Sequence, residues 1–504
     1  MARLYRLPLF LLLTGVVALS MYLPAAVARI DGHHHIARTF FYAGTLGLIL
    51  VSLVAVARWG RPPERDTLRQ LLSLLGVFLL LPAAMAIPFH EAVRTTTFLN
   101  AYVEMVSCLT TTGATLFEDP ARLAPPLHLW RAQVGWMGGL LIWVAAASIL
   151  APLNLGGFEV TASAEPGQGE GRQPQMHSAA PATRLARAAA RLAPLYIGLT
   201  GALWVMLMIL GERAIPALVH AMSVMSTSGI SATGGLEASA AGRTGEVVMF
   251  LFLLFALSRL TFSSDTIATQ RTGLHNDPEF RLGMVIVLGV PLLLFLRHWL
   301  GAYDFGEEEN LGAALEALWG GVFTVLSFLS TTGFVSADWD AAQSWSGLDT
   351  TGLILLGLAI VGGGVATTAG GVKLLRVYAL YLNGMREVER LVHPSSVGRA
   401  SVFSRRLRRR GAFVAWVFFM LFALSLAAVT VLFAALGSDF EEALVLTIAA
   451  LSTTGPLLTA AAETPISLAE LPSDAKLVFA AAMVLGRFEL LAIIALMTPQ
   501  LWRR

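Results

Sequence analysis

The 504-residue chain is 56% hydrophobic and only 13% charged, with a mean hydropathy of +0.69. Soluble domains carry roughly 25% charged residues, so this composition excludes a fully water-exposed surface and defines an integral membrane protein. The one cysteine, Cys108, excludes an intramolecular disulfide framework and a cysteine metal cluster, and the net charge of +2 says less than where the charges fall.

Residues 1–27 place Arg3 and Arg6 ahead of an apolar run, and Ala26-Val27-Ala28 has the form of a cleavage site. The run continues for about 20 residues, longer than a signal core, and reads as a retained first transmembrane helix. With it, ten spans are expected: 7–27, 39–57, 71–88, 129–151, 195–210, 247–262, 282–300, 353–380, 413–436 and 477–497. From the third span onward the order is span, short apolar segment, hydroxyl–glycine hexad, span, four times over. The first two spans stand outside this pattern as an additional hairpin.

Basic residues mark one face. Arg58, Arg61, Arg65 and Arg69 share one loop, and Arg172, Arg184, Arg187 and Arg191 share another. Arg386, Arg390 and Arg399 precede Arg405-Arg406-Leu407-Arg408-Arg409-Arg410, and Arg503-Arg504 end the sequence. With ten spans all of these lie on the side of the N-terminus, which makes that face, and both termini, cytoplasmic. The opposite loops carry Glu118, Asp119, Asp304, Glu307, Glu308, Glu309, Asp439, Glu441 and Glu442, against Arg29, Arg38 and Arg94. The arginine cluster serves topology, or alternatively binds anionic lipid or a soluble partner. Residues 159–183, with Pro166-Gly167-Gln168-Gly169-Glu170-Gly171, read as a flexible linker; no strand precedes the Gly-x-Gly-x-Gly, so it is not read as a nucleotide loop. His33-His34-His35 read as a solvated external loop rather than a metal site.

The hexads carry the functional argument. They are Leu109-Thr110-Thr111-Thr112-Gly113-Ala114, Met225-Ser226-Thr227-Ser228-Gly229-Ile230, Leu329-Ser330-Thr331-Thr332-Gly333-Phe334 and Leu451-Ser452-Thr453-Thr454-Gly455-Pro456. Their glycines are 116, 104 and 122 residues apart, the spacing of a small multi-helix unit used four times. A single Ser-Thr-Thr-Gly usually ends a helix in a turn. Four copies, each after a segment too short to cross a bilayer, place non-helical backbone at membrane depth. Such backbone is tolerated only when it lines an aqueous cavity or is buried in protein. Glycine lets successive carbonyls turn to one axis, and four carbonyl-bearing loops around an axis can replace the hydration shell of a monovalent cation. Short helices entering from outside would aim their negative dipole ends at that ion.

These residues, together with Leu129-Trp130-Arg131-Ala132-Gln133-Val134-Gly135-Trp136-Met137-Gly138-Gly139 and Gly486-Arg487-Phe488-Glu489-Leu490, resemble the Trk/Ktr/HKT superfamily of cation transporters, most closely its Trk-type potassium-uptake membrane subunits. The resemblance spans nearly the whole chain. It implies an all-α polytopic membrane protein, with an N-terminal helix hairpin and four outer helix–pore helix–inner helix repeats around one pseudo-fourfold pore. The corresponding division is hairpin 1–60, repeat 1 at 61–155, cytoplasmic linker 156–184, repeat 2 at 185–272, repeat 3 at 273–404 and repeat 4 at 405–504. It implies a K+ filter of Thr111, Thr112, Gly113, Thr227, Ser228, Gly229, Thr331, Thr332, Gly333, Thr453, Thr454 and Gly455, with K+ as the bound and transported ion and no covalent cofactor. It also implies a homodimer in the inner membrane and a cytoplasmic nucleotide-binding regulatory subunit, with membrane lipid but no nucleic acid as a further partner.

The same resemblance makes residues 362–373 an intramembrane gating loop in a broken span, formed by Gly362, Gly363, Gly364, Gly370 and Gly371 with Lys373 beside it. A glycine run that merely allows close helix packing is the other reading of that stretch. Arg487, ionisable at membrane depth, would face the cavity and oppose ion passage, or else pair structurally with Glu489. Two departures stand out: Thr453-Thr454-Gly455-Pro456 replaces an Asn-rich stretch, and Ala256-Leu257-Ser258-Arg259 replaces a Gly-Gly or Gly-x-Asn stretch. The first bears on selectivity and the second on gating or docking. Gly113, where sodium-preferring plant relatives carry serine, favours potassium over the alternative of a sodium-coupled or weakly selective cation transporter. No ATP-hydrolysis or phosphorylation motif suggests a pump. An enzyme built on Glu104, His90 or His220 lacks spaced metal ligands or an acid–base pair; His220 is expected just before a short helix, as a structural polar residue.

Overall fold

In hydrocarbon a backbone must satisfy its own N–H and C=O groups, and the apolar runs of this chain do so as helices. The computed structural model describes residues 8–58, 67–150, 181–258, 274, 277–301, 311–348, 350–393 and 409–488, and no strand occurs among them. The helices are α1 (Leu9–Ser20), α2 (Tyr22–Ile30), α3 (His34–Ala57), α4 (Thr67–Val93), α5 (Phe98–Leu109), α6 (Pro125–Ala145), α7 (Pro181–Ile209), α8 (Ala214–Ser226) and α9 (Gly242–Leu253). They continue as α10 (Pro278–Gly301), α11 (Leu311–Leu329), α12 (Trp339–Ser346), α13 (Thr351–Val361), α14 (Leu374–Val392), α15 (Arg409–Ala435), α16 (Phe440–Ser452), α17 (Leu457–Ala460) and α18 (Ser473–Phe488).

Among the described residues, seven helices are long and apolar enough to cross a membrane, or eight if α12 and α13, bent by 116°, form one span. The chain is therefore a multi-pass membrane protein. Of the ten expected spans, one is shorter than expected, the break foreseen in the 353–380 segment is present, and one is described only in part. At 247–262, α9 runs only to Leu253 and a 3-10 turn carries the chain to Leu257. The 353–380 segment is two helices, α13 and α14, on either side of a glycine-rich loop. The last span is described only to Phe488, so Glu489 lies outside the described residues, as do residues 159–180 and Arg259.

The first span, Leu9–Ile30, is interrupted at Met21 between α1 and α2. Pro24 has no N–H to offer the Ser20 carbonyl, and that carbonyl instead accepts Gln133 Nε2 of α6 at 2.8 Å. A proline and a distant glutamine thus tie the N-terminal hairpin to the first repeat. Val17, Met21, Ala25 and Ala28 are buried in the main apolar core alongside Phe40 of α3. The histidine triplet is corrected as well. His34 and His35 open α3 rather than sit in a loop, and His35 Nε2 meets Arg94 Nη2.

Four groups repeat one plan: a long outer helix (α4, α7, α10, α15), a short helix (α5, α8, α11, α16) and an inner helix (α6, α9, α13, α18). Each inner helix also packs on the short helix of the next group: α6 on α8, α9 on α11, α13 on α16, and α18 back on α5. The last contact closes a ring. The four hexads lie inside it.

Candidate functional site

Each short helix ends in the same backbone turn. Thr111, Thr227, Thr331 and Thr453 adopt left-handed φ values of 57°, 51°, 59° and 55°. This region disfavours a β-branched side chain, and four equivalent exceptions mark a structural requirement rather than accident. The next N–H folds back on its own helix in every copy: Thr112 to Ser107 O (2.9 Å), Ser228 to Ser223 O (3.0 Å), Thr332 to Ser327 O (2.9 Å) and Thr454 to Ala449 O (2.9 Å). The hydroxyls pair two residues apart, as Thr110–Thr112 (2.8 Å), Ser226–Ser228 (3.0 Å), Ser330–Thr332 (2.9 Å) and Ser452–Thr454 (3.1 Å). These bonds explain why small hydroxyl residues recur at these positions. These amide donors turn to the parent helix, at four helix ends whose dipoles are negative.

The hexads meet in cyclic order. A Cβ on Gly113 would lie 1.7 Å from Ser228 O, one on Gly229 2.2 Å from Thr332 O, and one on Gly455 2.0 Å from Ala114 N. At the third step the pattern changes: a Cβ on Gly333 would meet the Pro456 ring at 2.8 Å instead of a carbonyl. Gly113, Gly229 and Gly333 have φ values of 73°, 66° and 83°, whereas Gly455 is outside the left-handed region. Its N–H donates to Thr112 O at 2.6 Å. The fourth quarter thus turns its glycine N–H onto the first hexad, where Gly113 and Gly333 turn theirs to Ser107 O and Ser327 O of their own helices.

Residues 362–373 lie directly beneath the ring. Gly370 N donates to Thr331 Oγ1 at 2.7 Å, and Thr368 Oγ1 lies 3.1 Å from Thr227 Oγ1. A Cβ on Gly370 would sit 2.0 Å from Ser452 O, so only glycine lets the loop lie flush against the fourth hexad. The equivalent hydroxyls Thr111 Oγ1 and Thr453 Oγ1 are buried with no protein partner. Burying a hydroxyl without a hydrogen bond costs roughly 1–3 kcal/mol, which water or a cation at the axis would offset. Below, Lys373 Nζ donates to Ala369 O and Arg487 Nη1 to Thr368 O at 2.6 Å. Both cations line a small cavity with Ile142, Leu150, Thr367 and Gly370. Leu150 closes a π-helical turn, Ala146–Leu150, at the end of α6. The loop thus packs directly against the ring.

Buried carboxylates brace the ring from outside. Glu104 accepts Arg131 Nε at 2.6 Å and Leu116 N at 2.9 Å, holding the backbone just past the first hexad. Glu246 of α9 accepts Trp319 Nε1 (3.0 Å), Ser336 Oγ (2.7 Å) and Ala337 N (2.8 Å), doing the same past the third. In the second, His220 Nε2 lies 3.0 Å from Ser231 Oγ. His220 stands within α8 rather than before it, which corrects the sequence expectation, and its role is bracing. Sequence reasoning missed Glu246 altogether; an acid inside an apolar segment was the available signal. Gly138 and Gly486 occupy matching places, where a Cβ would be 2.0 Å from Leu109 O and 2.3 Å from Leu451 O.

Four short helices converging on carbonyl-rich turns within a multi-pass helical membrane protein define an architecture for moving cations. The family description "TrkH: Cation transport protein" matches residues 79–503, and the chain belongs to this family. It is therefore a transporter rather than an enzyme. It is 31% identical to a Trk system potassium uptake protein TrkH of Halomonas elongata over 86% of this chain and 84% of that protein. It is 29% identical to the Salmonella typhimurium protein of the same name, over 96% of each. The crystal structure of the potassium transporter TrkH from Vibrio parahaemolyticus superposes with a TM-score of 0.78 at 25% identity, covering 100% of both chains.

Proposed function

We propose that the protein carries out gated potassium uptake across the cell inner membrane, driven by the membrane potential. The observation that carries this reading is the cyclic meeting of four hexads whose Thr112, Ser228, Thr332 and Thr454 amides bond to their own helices. Thr111, Thr112, Gly113, Thr227, Ser228, Gly229, Thr331, Thr332, Gly333, Thr453, Thr454 and Gly455 form the filter, and backbone carbonyls replace the water around a K+ ion. The relatives' names, Trk system potassium uptake protein, support potassium as the ion. Each inward charge gains about 2.3 kcal/mol per 100 mV, so no coupled hydrolysis is needed.

The loop of Gly362, Gly363, Gly364, Gly370 and Gly371 is the gate. Its contacts with Thr227 and Thr331 support a closed state, with Lys373 and Arg487 adding positive charge below. A cytoplasmic nucleotide-binding subunit opens it, and the transporter works as a homodimer with both termini cytoplasmic. The division into hairpin 1–60, four repeats and linker 156–184 belongs to this reading.

A second reading, a sodium-coupled or weakly selective cation transporter, draws on the donor that Gly455 presents to Thr112 O. The deciding experiment is growth at low potassium of a bacterial host lacking its own uptake systems, alongside rubidium and sodium flux in vesicles. Rescue with flux favouring rubidium is expected. Well-expressed protein that neither rescues growth nor moves rubidium, with its cytoplasmic partner present, rejects potassium uptake. Equal sodium and rubidium flux favours the second reading.

A further inference from the structure

We propose that Glu279, at the start of α10, is a positioning residue that holds the gating loop shut, in concert with Ser258 and Asp277. The proposal rests on the loop being the gate, as read above. The first half of the loop makes none of the ring contacts of the second half. Instead it is held from the side by the two chain ends that join the second and third groups. Gly364 N donates to Ala256 O at 2.9 Å, and Val365 N donates to Glu279 Oε1 at 3.0 Å. Glu279 is 1% exposed and Ser258 is fully buried.

The two ends are fastened to each other too. Ser258 Oγ donates to Asp277 Oδ2, and Glu279 N lies 3.4 Å from Asp277 Oδ1. Close packing completes the clamp: a Cβ on Gly364 would lie 2.6 Å from Leu257 O, and one on Gly363 2.8 Å from Ala256 O. The stretch Ala256-Leu257-Ser258, a departure from the family pattern, is thus one jaw of the clamp, and Asp277 with Glu279 is the other.

A buried carboxylate accepting a backbone N–H is a strong fastening, because losing it leaves the donor without its partner in a low-dielectric interior. Displacing either jaw withdraws the support of Gly364 and Val365 and leaves the loop held only by the Gly370 and Thr368 contacts, from which it parts more readily. This gives residues 256–258 and 277–279 a mechanical route to the gate that bypasses the filter.

The test is rubidium flux into vesicles of purified full-length protein without its cytoplasmic partner. Glu279→Ala is expected to raise basal flux about tenfold, the effect of removing roughly one charged hydrogen bond. Glu279→Gln, which keeps an acceptor oxygen, stays within about twofold of the parent. The rubidium-to-sodium ratio is unchanged in both, which a general loosening of the fold would not leave intact. Glu279→Ala with parental or lower flux in monodisperse protein overturns the proposal. If that variant does not purify as a single species, Ser258→Ala decides: a rise of about fivefold supports the clamp and no rise rejects it. A parent protein with no rubidium flux even with its partner present instead rejects the transport reading on which this stands.

Discussion

Gly113 shows how little room the ring has. A side chain there would begin 1.7 Å from Ser228 O, so Gly113→Ser must shift the second hexad or its own turn. The rubidium-to-sodium permeability ratio is expected to fall about tenfold, equivalent to ~1.4 kcal/mol of lost discrimination. An unchanged ratio would remove Gly113 from the filter. Glu104 lies one layer out and acts differently. Its pair with Arg131 has side-chain exposures of 0% and 4%, and removing one member of such a pair costs about 3–5 kcal/mol because the other stays buried and charged. Glu104→Ala is expected to lower the melting temperature sharply in detergent, monitored by size exclusion after heating, before any change of ion preference appears. The hexads could be read from sequence because hydroxyl–glycine chemistry is local. The Glu104–Arg131 pair spans 27 residues and the Glu246–Ala337 bond 91, and no local pattern carries that information.

At the scale of elements, four short helices and a broken one follow from hydropathy and glycine content, because length and backbone freedom are sequence properties. The π-helical turn at Ala146–Leu150 does not follow, since nothing in Ala-Ala-Ser-Ile-Leu distinguishes it from ordinary helix. Its place is set by tertiary packing beside the cavity that also holds Arg487. A guanidinium ~8 Å from a passing cation opposes it by on the order of 2 kcal/mol at an effective dielectric of ~20. Arg487→Ala is therefore expected to raise partner-free flux about tenfold, through lost repulsion and the lost bond to Thr368 O. Equal or lower flux at normal expression would assign Arg487 to structure alone. This change and Glu279→Ala act on opposite halves of one loop, so the double variant tests whether the halves release independently.

For the whole molecule, membrane class, repeat number and the additional hairpin were legible because composition and charge asymmetry are global signals. The exact asymmetry of the ring was not. Sequence marks the fourth hexad as unusual through Pro456, but only assembly brings the proline ring against Gly333 and the Gly455 amide against Thr112. The closure of α18 on α5 has a consequence for biosynthesis. The first short helix is inserted early, yet its seat is completed by the last of the described helices. Until that helix docks, the turn at Thr111 lacks one wall, and its polar backbone faces lipid or whatever chaperone shields it. Ribosomal release before α18 therefore yields a chain with three finished joints and one open seam, a ready substrate for membrane quality-control proteases.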